Sequence, residues 1–244
     1  MKTLLAIDIG NTYTKYGLFR ASRLRKTWQH ETVAIGDQAA SILKSQSAAI
    51  VVSSVVPGAI ATFESICRSQ GKKFTLITPS KQTIITCVTD ELGADLLAAA
   101  VAAHSLFSAG KAILTIGLGT ATTLTAVSSD GTFKGCYLTL GLTPTLEALA
   151  QRCPLLPDSV PDPNKIGLGF DTASAMGNGA LLAQTGTIEA WVRKARCKLK
   201  EPAVVVASGG WAEKVATHTK VIDHTDKHLT LKGIYLLGLC SAKS

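Results

Sequence analysis

The chain has 244 residues, of which 46% are hydrophobic and 17% charged, and it carries a formal net charge of +8 at neutral pH. This composition is too apolar for a disordered chain, and no apolar run reaches the roughly 20 residues that a bilayer-spanning helix needs. The opening run of hydrophobic residues is cut by Asp8 too early to act as a secretion signal, so a cytoplasmic protein is expected.

Leu4–Ile9 reads as a buried strand, Lys15–Phe19 as its hairpin partner and Lys26–Thr32 as a third antiparallel strand. A helix is expected near 37–45, a very apolar strand at Ala49–Val52, a helix near 57–70 and a short strand at Phe74–Ile77. Residues 93–108 favour helix and are almost wholly apolar, which suits a helix buried between two layers and joining two half-structures. After it the opening pattern recurs, with strands at Ala112–Ile116, Thr122–Val127 and Thr132–Leu138 around a Gly117-Leu118-Gly119-Thr120 turn. Ile7-Asp8-Ile9-Gly10-Asn11-Thr12 and Ile116-Gly117-Leu118-Gly119-Thr120-Ala121 fall at the same place in the two units. Helices follow near 143–152 and 172–195, then a strand at Ala203–Ala207, a helix after Gly209-Gly210 and a last helix near 229–242. The Pro154–Pro163 stretch reads as an exposed loop rather than a linker between domains. The expected fold class is α/β, with two duplicated halves, 1–111 and 112–244, around a central cleft.

The six cysteines are scattered with no C-x-x-C pair, so reduced structural thiols are expected rather than a zinc site or a disulfide framework. Positive charge is densest at Arg20, Arg23, Arg25 and Lys26 and again from Arg193 to Lys200. Neither cluster is interleaved with aromatics, so both read as solvated faces, and nucleic-acid binding is not expected. His224-Thr225-Asp226-Lys227-His228 reads as a surface turn before the last helix rather than a metal pair.

Asp8-Ile9-Gly10-Asn11-Thr12 sets a carboxylate at a strand end, then a glycine that lets backbone N–H groups approach a ligand, then two hydrogen-bonding side chains. That order suits a phosphate with its magnesium: Asp8 would hold the metal, through water, and Lys15 would add positive charge. Gly117–Thr123 offers flexible backbone and three hydroxyls but no acid, so it supplies donors only. Gly209-Gly210 before a helix is a third candidate anion contact. Phosphoryl transfer also needs a proton acceptor; Asp95 stands at the start of the apolar helix, where the helix terminus should keep it ionised.

These residues together resemble the type III pantothenate kinases, which open with an Asp-x-Gly-Asn-Thr segment, here Asp8 to Thr12, followed by Lys15. The resemblance continues through Gly93-Ala94-Asp95, Gly119–Thr123, Leu146–Leu149, Thr172–Gly179, Gly209-Gly210 and Leu229–Gly233. It implies two ribonuclease H-like halves of the actin-like ATPase class, a homodimer, and transfer of the ATP γ-phosphoryl group to pantothenate in the first step of coenzyme A synthesis. It also implies magnesium and a monovalent cation, potassium or ammonium. By the same resemblance, Asp8, Ile9, Gly10, Asn11, Thr12, Lys15 and Thr120 bind ATP. Gly93, Ala94, Asp95, Leu96 and Thr172 contact pantothenate, with Asp95 as the proton acceptor.

Several positions depart from the family pattern. Gly117 stands where the family usually has the aspartate that coordinates the monovalent cation, and Leu96 replaces an arginine after the acceptor aspartate. Thr86 falls where a substrate-contacting tyrosine is common, Leu140 replaces the proline of a Pro-Gly turn, and Thr125 replaces a second acid. Each lost charged contact commonly costs a few kcal/mol. Two alternatives to a working pantothenate kinase therefore stay open: a homologue that binds nucleotide in a regulatory role, and a kinase for another hydroxyl compound.

Overall fold

The computed structural model describes residues 3–44, 48–159 and 166–241. Its first sheet is built from β1 (Thr3–Ile9), β2 (Tyr13–Arg20), β3 (Arg23–Glu31), β4 (Ala49–Ser54) and β5 (Phe74–Leu76), in the order β3-β2-β1-β4-β5. The β1–β2–β3 meander is antiparallel, whereas β4 and β5 join it in parallel. Parallel neighbours need a crossover, and α1 (Ile35–Lys44) and α2 (Pro57–Ser69) supply the two crossovers. The alternation of β1 sends Leu5, Ile7 and Ile9 into a core with Ile50 and Val52 of β4 and Ala39, Leu43, Phe63 and Cys67 of the two helices.

The same plan is then repeated. β6 (Ala112–Leu118), β7 (Ala121–Val127), β8 (Phe133–Leu140), β9 (Ala203–Ser208) and β10 (His224–Thr225) form a second sheet in the order β10-β9-β6-β7-β8. Read from β8, this is the first sheet's order with each strand replaced by its counterpart. Between the two sets of strands runs α3 (Ala94–Phe107), and the second half adds α4 (Leu142–Arg152), α5 (Thr172–Leu199) and α6 (Ala212–Ala216). Leu114, Ile116 and Leu118 of β6 share a core with Leu124 of β7, Val205 of β9, and Leu181, Ile188 and Val192 of α5.

The chain ends in α7 (Leu229–Ser241), which belongs with the first half: the compact units are Met1–Ser105 with Leu229–Ser244, and Leu106–His228. Gly233 marks where α7 meets α3, since a Cβ there would overlap the backbone carbonyl of Ala98. Gly238 lets the same helix rest on Val51 and Leu4, the face of the first sheet opposite its α1–α2 core. No helix among the described residues is long and apolar enough to cross a membrane.

Most expected elements are present with shifted ends. The first hairpin is longer at both ends than its apolar core suggested, and α5 runs on to Leu199, where Lys200 in the left-handed conformation stops it. The strand β10 did not stand out in the sequence: His224 and Thr225 were read as part of a turn, but they pair in parallel with Val206 and Ala207. Two polar residues carry no periodicity, so only the sheet edge beside β9 makes them a strand. Of the proline-rich stretch, Pro154–Pro157 are largely exposed, and 160–163 lie outside the described residues.

Candidate active site

Asp8 lies near the carboxyl end of β1, directly opposite Lys15 on β2 and Ser53 on β4. Directly paired residues point to one face, so the three side chains form one polar rung on the face opposite the α1–α2 core. Asp8 Oδ1 and Ser53 Oγ are both shut off from solvent and have no hydrogen-bond partner of good geometry. A buried, unpaired carboxylate oxygen costs free energy in the protein alone, and a ligand that satisfies it recovers that cost.

The electrostatics follow from this burial. Desolvation first, and the charge of Asp95 second, push Asp8 up to about 7, while Lys15 and the neighbouring Ser53 hydroxyl pull it back only in part. Asp95 is in the first turn of α3, where its Oδ1 accepts a hydrogen bond from the Leu96 N–H at 2.9 Å. The helix start does favour the carboxylate, as the sequence suggested, but desolvation outweighs the Leu96 and Asp95 backbone donors, so Asp95 is also raised. Two neighbouring acids cannot ionise independently. The charge of Asp95 therefore adds to the burial that raises Asp8.

Gly93 makes the placement of Asp95 possible. A Cβ at residue 93 would sit 2.6 Å from Asp95 Oδ1, so the carboxylate folds back over space that only glycine leaves open. Because the obstacle is the end of a movable side chain rather than backbone, Gly93→Ala should fold and displace Asp95 instead. A shift of that kind is expected to lower turnover by about 10²-fold, with a melting temperature close to that of the parent; steady-state kinetics beside thermal denaturation check both.

The turn after β1 is braced from a distance. Gly10 N–H donates to the Tyr13 carbonyl at 3.1 Å, Thr32 Oγ1 donates to the Gly10 carbonyl at 2.7 Å, and Thr32 N–H donates to the Thr12 carbonyl at 2.9 Å. Thr32 is buried and its hydroxyl also lies 3.1 Å from that of Thr14. Asn11 and Thr12 are thereby left exposed at the tip, while Ile9 is buried and can offer only backbone. Neither Thr32 nor Ser53 was among the residues singled out from the sequence. Each is an ordinary polar residue far along the chain, and only strand register brings it to Asp8 or its turn.

In the second unit, Thr120 is exposed at the β6–β7 turn, closed by a 3.1 Å hydrogen bond from Gly119 N–H to the Ala121 carbonyl. Thr172 is the first residue of α5, exposed behind a capping box in which Asp171 accepts from Ser174 N–H at 2.8 Å. Gly209-Gly210 departs from its expected role. The helix after it, α6, has only five residues, and the Trp211 and Ala212 N–H groups at its start are spent on the Leu118 and Gly209 carbonyls. Gly209 instead has a φ of 111° and lies against the Leu118 backbone, a close approach that a side chain would block. Thus Asp8, Lys15 and Asp95 are brought together in the first unit, and Thr120 and Thr172 are carried by separate elements of the second. Leu96, half-buried beside Asp95, and exposed Thr86 offer no charge.

The arrangement suits magnesium. Among the described residues no three His, Cys, Asp or Glu side chains cluster, so a metal at Asp8 would draw its other ligands from water and phosphate oxygens, as magnesium commonly does. The family model for type III pantothenate kinase matches residues 4–194. The type III pantothenate kinase of Bacillus cytotoxicus is 31% identical over 251 residues, covering 96% of this chain and 95% of that protein. Among solved structures, a protein from Campylobacter jejuni described as a candidate transcriptional activator of the Baf family aligns over 98% of this chain and 100% of its own, with a TM-score of 0.66 at 17% identity. The ROK hexokinase of Thermus thermophilus aligns over 99% of both chains with a TM-score of 0.57 at 16% identity. These two likenesses concern the fold alone, which is α/β with two similar halves as in the actin-like ATPase class. The sequence matches go further: this chain belongs to the type III pantothenate kinase family.

Proposed function

We propose that the chain transfers the γ-phosphoryl group of ATP to the hydroxyl of pantothenate, giving 4′-phosphopantothenate and ADP in the first step of coenzyme A biosynthesis. The observation that carries this reading is the pair of acids in the first unit: Asp8, with a buried oxygen that lacks a partner, and Asp95, held at a helix start close enough to repel it.

The roles follow from position. Asp8 holds the charge that faces magnesium, through water, and the Gly10-Asn11-Thr12 turn and Lys15 bind phosphate oxygens. Magnesium, when bound, neutralises phosphate charge. Gly93, Ala94 and Leu96 contact pantothenate and orient its hydroxyl towards the γ-phosphorus. The hydroxyl oxygen forms the new P–O bond, its proton passes to Asp95, and the bond from the γ-phosphorus to the β–γ bridging oxygen breaks, its electron pair leaving with ADP. Burial raises the Asp95 carboxyl above its ordinary value, which makes its carboxylate a stronger proton acceptor. A cytoplasmic homodimer belongs to the same reading.

One observation favours a second reading, a different acceptor: the departures Leu96 and Thr86 fall on the acceptor side, next to Asp95 and in the segment before it, whereas the Asp8–Lys15 segment is intact. ADP release measured with pantothenate and a panel of other small hydroxyl compounds separates the two. Pantothenate giving the highest kcat/KM supports the proposal; release stimulated by another compound and not by pantothenate replaces it.

A further inference from the structure

We infer that this chain binds its nucleotide without a potassium or ammonium ion, because the position that would hold one is filled by neutral hydroxyls. The inference rests on the nucleotide-binding half of the proposed function and not on the identity of the acceptor.

The family resemblance puts the cation at residue 117, and strand register shows what that position is in this fold. In the first sheet one rung reads Lys15–Asp8–Ser53 across β2, β1 and β4; in the second, the corresponding strands β7, β6 and β9 give Thr123–Gly117–Ser208. An internal marker confirms the alignment. Each outer hairpin carries a register shift, between Leu18 and Phe19 in β2 and between Ala126 and Val127 in β7. These pairs lie opposite Leu5 and Leu4 in β1 and opposite Ile113 and Leu114 in β6, so Asp8 and Gly117 stand the same distance beyond the irregularity. Gly117 is therefore the second half's counterpart of Asp8, and Thr123 the counterpart of Lys15.

The replacement is more than a missing side chain. A Cβ on Gly117 would lie 2.6 Å from Thr123 Oγ1, so the threonine hydroxyl occupies the room that an acid at 117 would need. Thr123 and Ser208 are both buried and uncharged. Of the acids among the described residues of this unit, the one that register brings nearest is Asp226, which follows β10. It is two strands from Gly117, roughly 10 Å at the usual strand spacing, and its Oδ1 already accepts the His228 N–H at 3.0 Å. A monovalent cation at this rung would give up hydration for neutral hydroxyls, without the carboxylate that the first half offers at Asp8.

The test is isothermal calorimetry of magnesium–ATP binding to the full chain in potassium, ammonium and choline chloride at equal ionic strength. The expected affinities agree within about twofold; affinity about tenfold or more higher in potassium or ammonium overturns the inference. Absence of nucleotide binding in every salt overturns the nucleotide reading itself, a different result from cation dependence. A second arm restores the missing acid and clears its space: Gly117→Asp with Thr123→Ala should make ATP affinity respond to potassium by about fivefold or more. A folded double variant that binds ATP and stays indifferent to potassium shows that this pair is not what excludes the ion.

Discussion

Replacing Asp95 by asparagine is expected to lower kcat by about 10²- to 10⁴-fold, the usual contribution of a positioned proton acceptor, while ATP affinity stays close to that of the parent. Asparagine has nearly the same shape, and its Oδ1 can still accept the Leu96 N–H bond that holds Asp95 at the start of α3. The helix and its approach to the sheet should survive, and only the capacity to take a proton is lost. A second consequence distinguishes this loss from general damage. Asp95 is the second-largest cause of the raised Asp8 pKa, so removing its charge should let Asp8 ionise at lower pH. In the variant, magnesium–ATP binding should therefore persist to lower pH than in the parent. A variant with more than a tenth of parental turnover would remove the role given to Asp95.

Replacing Asp8 by asparagine should have two large effects with opposite signs. Magnesium–ATP affinity is expected to fall by about 10- to 100-fold, the cost typical of losing a carboxylate that orients a metal through its water; ATP affinity measured in a chelator should change much less. Stability should move the other way. The Asp8 carboxyl titrates near 3.8 when free and is pushed up to about 7 in the fold. The native state therefore holds this proton more tightly than the unfolded chain. That contribution is complete below about pH 4 and is lost as pH rises through about 7, because the folded protein must then carry a buried charge. In metal-free buffer the parent should lose stability across this window, by an amount on the order of 4 kcal/mol. Asp8→Asn carries no titrating proton and should lack that slope, making it the more stable protein at pH 8.5. Urea denaturation at pH 5 and pH 8.5 reads the difference directly.

Much of the fold is legible in the sequence because the two hairpins announce themselves. The apolar stretches ending in Asp8-Ile9-Gly10 and Gly117-Leu118-Gly119 fix both the strand ends and the repeat, and the structure returns the same strand order twice. What the sequence hides is what only long-range register creates. Ser53 reaches Asp8 across β1 and β4, Thr32 reaches Gly10 at the end of β3, and His224-Thr225 becomes a strand only because β9 has an open edge. The proton balance of the acids was hidden for the same reason. A helix start argues for an ionised Asp95, but burial, which the local sequence does not show, outweighs it. Gly117 shows the reverse case: its departure is plain in the sequence, and the physical content, a threonine hydroxyl standing in the vacated space, appears only in the structure.

The most direct test of the central claim is product analysis by mass spectrometry after incubating the purified protein with ATP, magnesium and pantothenate, beside the Asp95→Asn variant. Phosphopantothenate formed by the parent and lost in the variant is the predicted result. Formation of the same product at the same rate by both proteins, or no product from a parent that binds ATP, would contradict it.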